Sequence, residues 1–206
     1  MTADIASAVA AQRRDLVDLY SSLTPQQWRT PSLCAGWRVH EVLAHVTMPY
    51  RYTLPRILLG LVRSRGSVNR MADRAARADA AALSPAELLD VLRRNVDHPW
   101  APPGGGPLGA LSHEVIHGLD VAVPLGRTDV VPPERAALVL SGFSPKRARY
   151  FGVDVRGVRL VATDADWAHG EGEPVHGRAA DLLLLVSGRT VPAESLTGRG
   201  ATRFGR

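Results

Sequence analysis

The 206-residue sequence predicts a mainly α protein: an up-and-down four-helix bundle followed by a small α/β domain. Three observations carry this. Apolar residues recur near a 3.6-residue period in four stretches of the first two-thirds. Thr24-Pro25-Gln26-Gln27 and Ser84-Pro85-Ala86-Glu87 read as helix starts with a capping box and proline at N1. Past residue 145 the helical period gives way to short valine-rich runs broken by glycine.

Taken in order, Ile5, Val9, Leu16, Leu19 and Tyr20 define the first helix, over 3–22. Thr24–Gln27 opens a short helical turn, and Thr30–Gly36 is a loop. The second helix starts near Trp37, carries Val39, Val42, Leu43 and Val46, and is interrupted by Pro49 and Pro55 before resuming through Ile57–Val62. Residues 64–83 are polar and alanine-rich, a loose helix or a crossing. Ser84 caps a third principal helix through Leu88, Leu89, Val91 and Leu92. Prolines and glycines break the chain over 97–106, and Gly104–Gly106 reads as a hinge. The fourth helix runs from about Leu108 to Val123, and a short helix follows at 133–141. In the last third, Phe151–Thr163 reads as a strand pair around Arg156-Gly157, His169–Gly177 as a loop or hairpin, and Ala179–Ser187 as an apolar helix closed by Gly188. The domains are read as 1–144 and 145–206.

Lys+Arg is 25 and Asp+Glu 20, a net charge of +5; Lys146 is the one lysine, so the basic side is 24 arginines. Scattered along a chain with 5% aromatics, they offer no base-stacking platform, and nucleic acid is not expected as a partner. The one cysteine, Cys34, permits no internal disulfide and fits a reducing, cytoplasmic setting. No run approaches a membrane span of roughly 18 apolar residues, and no signal peptide is read, so no membrane is expected. A monomer or homodimer is expected.

Chemistry concentrates in His113-Glu114-Val115-Ile116-His117. Two histidines four apart on a helix share a face and can reach one cation. His45, on the second helix between apolar neighbours, is the natural third ligand, giving a His45/His113/His117 site open to an exogenous ligand. Neutral imidazoles suit zinc first, with nickel or iron as options. The same segment spells HExxH, in which Glu114 would be a peptidase base, but the longer pattern fails: Asp120 and Val123 stand where a glycine and a histidine belong. Glu114 is also placed as an alternative ligand, and Asp120 as a partner to an imidazole or a surface group. Cys34 reads as a small buried apolar residue at a helix entry rather than a nucleophile, and Trp37 as a core residue.

The run Ser32-Leu33-Cys34-Ala35-Gly36-Trp37-Arg38-Val39 through His45 resembles a signature of the mycothiol-dependent maleylpyruvate isomerase-like proteins, within the DinB-like metal-binding four-helix bundles. Glu114–Asp120, Val161–Trp167 and Ala179–Leu184 with Gly188-Arg189 resemble further family motifs in the same order. The resemblance implies one divalent metal on His45, His113 and His117, and mycothiol as thiol cofactor. It also implies a functional arginine, here Arg189, to bind a substrate carboxylate. The isomerase pattern has Glu where this chain has His113; three-histidine sets occur in other DinB-like proteins, thiol transferases included. The implied function is transfer of the thiol to a small electrophile, or its thiol-assisted isomerisation. A metal-dependent hydrolase, or a non-catalytic ligand-binding or regulatory bundle, stands as the alternative.

Overall fold

A computed structural model describes residues 2–127 and 129–204. The chain forms two compact units, 1–130 and 131–206.

The first unit is the bundle. Helix α1 (Thr2–Ser21) buries Val9, Leu16, Leu19 and Tyr20, the apolar stripe of the sequence. Helix α2 (Val39–Arg51) is capped by the Glu41 carboxylate, which accepts from the Arg38 backbone N–H at 2.9 Å and from the Arg38 guanidinium. It buries Val39, Val42, Leu43 and Val46 and contains Pro49. Helix α5 (Pro85–Arg94) follows the expected box, with Ser84 N–H donating to Glu87 at 2.8 Å and Glu87 N–H to the Ser84 hydroxyl at 3.3 Å. Helix α6 (Gly106–Ala122) completes the bundle; α1 and α2 each pack on both α5 and α6. Burying leucines such as Leu16, Leu43, Leu88 and Leu111 contributes about 1.5–3 kcal/mol each. Thr24 and Gln27 exchange the expected pair of bonds at 2.9 and 3.3 Å.

The long crossing between α2 and α5 holds two helices. Helix α3 (Leu54–Arg63) begins after the break at Tyr52-Thr53. Helix α4 (Val68–Ala82) is regular where the sequence suggested a loose segment: the Ser67 hydroxyl caps Arg70 N–H, and α4 packs on α2. Its buried Asp79 accepts from Arg51 at 2.7 Å and Arg56 at 3.1 Å.

The second unit begins earlier than the change of pattern suggested. Helix α7 (Pro133–Leu140) belongs to it, packing on α9 (Ala179–Val186), so the units divide at 130/131 rather than 144/145. After α8 (Pro145–Tyr150), strands β1 (Val158–Ala162), β2 (Ala168–His169), β3 (Glu173–Gly177) and β4 (Leu196–Thr197) form one sheet ordered β2-β1-β3-β4. β1 and β3 are parallel, with Leu160 opposite Val175. The expected strand pair around Arg156-Gly157 is one strand: Asp154 accepts the Arg156 N–H at 3.0 Å and its guanidinium as well, closing a turn that feeds β1. The hairpin reading of His169–Gly177 also fails, because β2 and β3 flank β1 on opposite sides. Gly172 is obligatory there: at φ +121° a Cβ would sit 2.2 Å from the Gly157 carbonyl oxygen. The helix stop at Gly188 (φ +77°) is as the sequence indicated.

Candidate metal centre

The α2 and α6 faces that meet in the first unit bring His45, His113 and His117 together. One ring nitrogen from each lies within 4.8 Å of the others. His45 Nε2 and His113 Nε2 are 3.2 Å apart, and the ring centroids of the trio are 4.7–5.1 Å apart. The i,i+4 spacing on α6 puts His113 and His117 on one face, and His45 reaches them from α2. Burial, with His117 and His113 adding to it, holds His45 well below the usual histidine range, so it is a neutral imidazole with a lone pair to offer. His45 Nε2 and His113 Nε2, 3.2 Å apart, are close enough to share a proton or to ligate one cation between them.

The third histidine is oriented from behind. His117 Nδ1 is 3.0 Å from Asp120 Oδ2, with Asp120 fully buried. A carboxylate on Nδ1 leaves Nε2 as the nitrogen free to ligate. Asp120 is therefore a buried partner of an imidazole rather than a surface group. Cys34 corrects the sequence reading: it is half-buried, and its thiol donates to Asp120 Oδ2 at 3.0 Å and lies 3.7 Å from His117 Nδ1. The loop before α2 is tied down there by the Leu33 N–H, which donates to the Asp120 carbonyl at 2.9 Å. Sequence reading missed this contact; the signal available was Asp120 sitting one turn beyond His117.

Glu114 is the alternative that the structure removes from the ligand set. It is fully buried, and Arg13 Nε donates to it at 3.1 Å. Its Oε1 lies 3.8 Å from His113 Nδ1 and accepts from Tyr50 at 3.4 Å. Burial would raise the carboxyl; His113 and Arg13 outweigh that and hold it below the usual range. A base so buried and engaged does not serve the HExxH reading. Arg13 also donates to the Val96 and His98 carbonyls at 3.2 and 2.6 Å, fixing the loop that sets the Trp100 ring 5.2 Å from His113. Trp37, read as a core residue, lies with its ring 5.2 Å from His45, and its Nε1–H donates to Asp73 at 2.7 Å. Two indoles thus wall the trio. Arg189 stands in the second unit, where its guanidinium donates to the Ser187 carbonyl at 2.7 Å.

The fold and site together describe a helical bundle with a three-histidine candidate metal centre and a small α/β unit. Residues 9–102 match the mycothiol maleylpyruvate isomerase N-terminal domain profile. Over 98% of its length the chain is similar to the crystal structure of the mycothiol-dependent maleylpyruvate isomerase, at 14% identity, TM-score 0.65 and 94% coverage of that chain. It is similar to a histidine mutant of the mycothiol-dependent maleylpyruvate isomerase at 13% identity and TM-score 0.62, with the same coverage. No curated protein sequence matches the chain. The likeness is thus one of domain over residues 9–102 and of fold over nearly the whole chain, both to mycothiol-dependent maleylpyruvate isomerase.

Proposed function

We propose that the protein is a divalent-metal enzyme that uses mycothiol to transfer to, or isomerise, a small electrophile. The observation that carries this is the convergence of His45, His113 and His117, with His117 Nδ1 engaged by Asp120. Neutral imidazole donors favour zinc, with nickel or iron compatible. A cation held there supplies the positive charge that makes a thiol ionise near neutral pH.

The chain's own residues supply the rest. His45 stays neutral through burial and presents Nε2 beside His113 Nε2. Asp120 fixes the His117 ring and accepts the Cys34 S–H, so Cys34 acts on the site through Asp120, and the working thiol comes from mycothiol. Trp37 and Trp100 shield the trio from water on two sides. Arg189 is the proposed bidentate ligand for a substrate carboxylate.

Elemental analysis of wild type, His45→Ala and His113→Ala tests the metal, with about one equivalent expected in wild type only. Calorimetric titration with mycothiol, with and without metal, tests the cofactor. Equal metal loads in all three proteins, or mycothiol heat that is independent of metal, would overturn the reading.

A further inference from the structure

Helix α3 has no buried residue, although Leu54, Ile57, Leu58, Leu59, Leu61 and Val62 make up most of it. An apolar helix in a folded protein normally hides that surface. Here Leu54, Leu58 and Val62, one turn apart along one face, are 67%, 53% and 76% exposed.

The charge around it is equally uneven. Residues 51–79 hold seven of the 24 arginines against two aspartates, a net +5 equal to that of the whole chain, so the remainder sums to zero. These seven gather at the end of α2, on α3 and α4 and in the turn between, while the other 17 lie along the rest of the chain. Arg51 and Arg56 are paired with Asp79, and Arg77 with Asp73. Arg63, Arg65 and Arg70 have no ion-pair partner among the described residues and, with Arg74, line an open hollow of about 690 Å³ at the end of α3.

We propose that α3 and its arginine rim form a docking face for a bilayer bearing anionic headgroups. A short apolar stripe beside a basic rim suits a helix lying in the interface plane, with the side chains entering the acyl boundary and the guanidinium groups on phosphates. The charge argues against the other occupants. A second copy would set one +5 patch against another. Nucleic acid would find an aliphatic stripe, and Tyr52, the aromatic beside it, is covered by the Arg56 guanidinium at 3.7 Å. The chain has no helix among the described residues long and apolar enough to cross a membrane, so this is peripheral contact.

Co-sedimentation tests it, with vesicles of equal parts phosphatidylglycerol and phosphatidylcholine against pure phosphatidylcholine. Binding is expected on the mixed vesicles and lost at about 1 M salt, where the screening length falls to about 3 Å. Arg63→Gln with Arg65→Gln should weaken it about thirtyfold. Leu58→Gln with Val62→Gln should weaken it at least about tenfold, with thermal unfolding unchanged because these positions are exposed. Equal binding to both vesicles, or none to the mixed ones, overturns the proposal. So does binding to polyglutamate without vesicle binding, which would make an acidic protein the partner. Concentration-dependent dimerisation abolished by Leu58→Gln would make a second copy the occupant and overturn it too.

Discussion

Helix α6 turns polar side chains inward and helix α3 turns apolar side chains outward. On α6, Glu114 and Asp120 are fully buried and His113 and His117 face the His45 side chain. On α3, six aliphatic residues leave none buried. Both helices break the pattern that α5 obeys, in which apolar residues face the core and charged ones face water. The cost of each departure differs. Several inward groups of α6 have partners: Arg13 of α1 for Glu114 Oε1, and Cys34 from the loop before α2, together with His117 of α6 itself, for Asp120. Leu54, Leu58 and Val62 of α3 stand exposed among the described residues. Departures of this kind mark where a fold serves something other than its own stability.

The contrast can be broken most directly at the metal centre. His117→Ala removes one of the three proposed donors, and dialysis against zinc followed by elemental analysis should find none retained. Arg13→Met should cost about 3–5 kcal/mol in denaturant unfolding, because it strands the buried Glu114 carboxylate. Arg13→Met combined with Glu114→Leu should recover most of that loss; a double variant no more stable than the single would show that Glu114 does not depend on Arg13. Asp120→Asn should weaken zinc binding about 10–100-fold in competitive chelator titrations, since it removes the carboxylate behind His117.

Acid sharpens the same contrast. In the metal-free protein His45 is held below its ordinary value of 6.5 by burial and by the neighbouring histidines. On acidification the unfolded chain takes up this proton before the folded one, so stability is complete above about pH 6.5 and declines as pH falls below it. Thermal melts across that range should show the decline, shallower in His45→Phe. The smallest effect belongs to α3: Leu58→Ala should change unfolding free energy by less than about 0.5 kcal/mol, while Leu111→Ala inside α6 costs about 2–5 kcal/mol.

The bundle was legible because its principal helices carry an apolar period, as in the stripe of α1 and the aliphatics of α2, and α5 carries a start as well in its Ser84–Glu87 box. Helix α4 was not, because alanines and arginines carry no strong period; its order comes from the Ser67 cap and packing on α2. The sheet was misread because β1 pairs in parallel with β3, with β2 lying between them in sequence but on the far side of β1 in the sheet, and no local alternation encodes that. The trio was legible because two ligands sit four apart on one helix and the third lies among apolar neighbours. The Cys34–Asp120 contact was not, since it depends on the loop before α2 being bonded to the end of α6 through Leu33.

Pro49 stands four residues after His45 on α2. Having no N–H, it cannot bond the His45 carbonyl, and its ring crowds that oxygen. Around this gap the backbone is braced by side chains, with Arg51 donating to the Ala44 carbonyl at 2.7 Å and Thr47 to the Leu43 carbonyl at 2.8 Å. Just past His45, α2 is thus held by side chains as well as by its own backbone ladder.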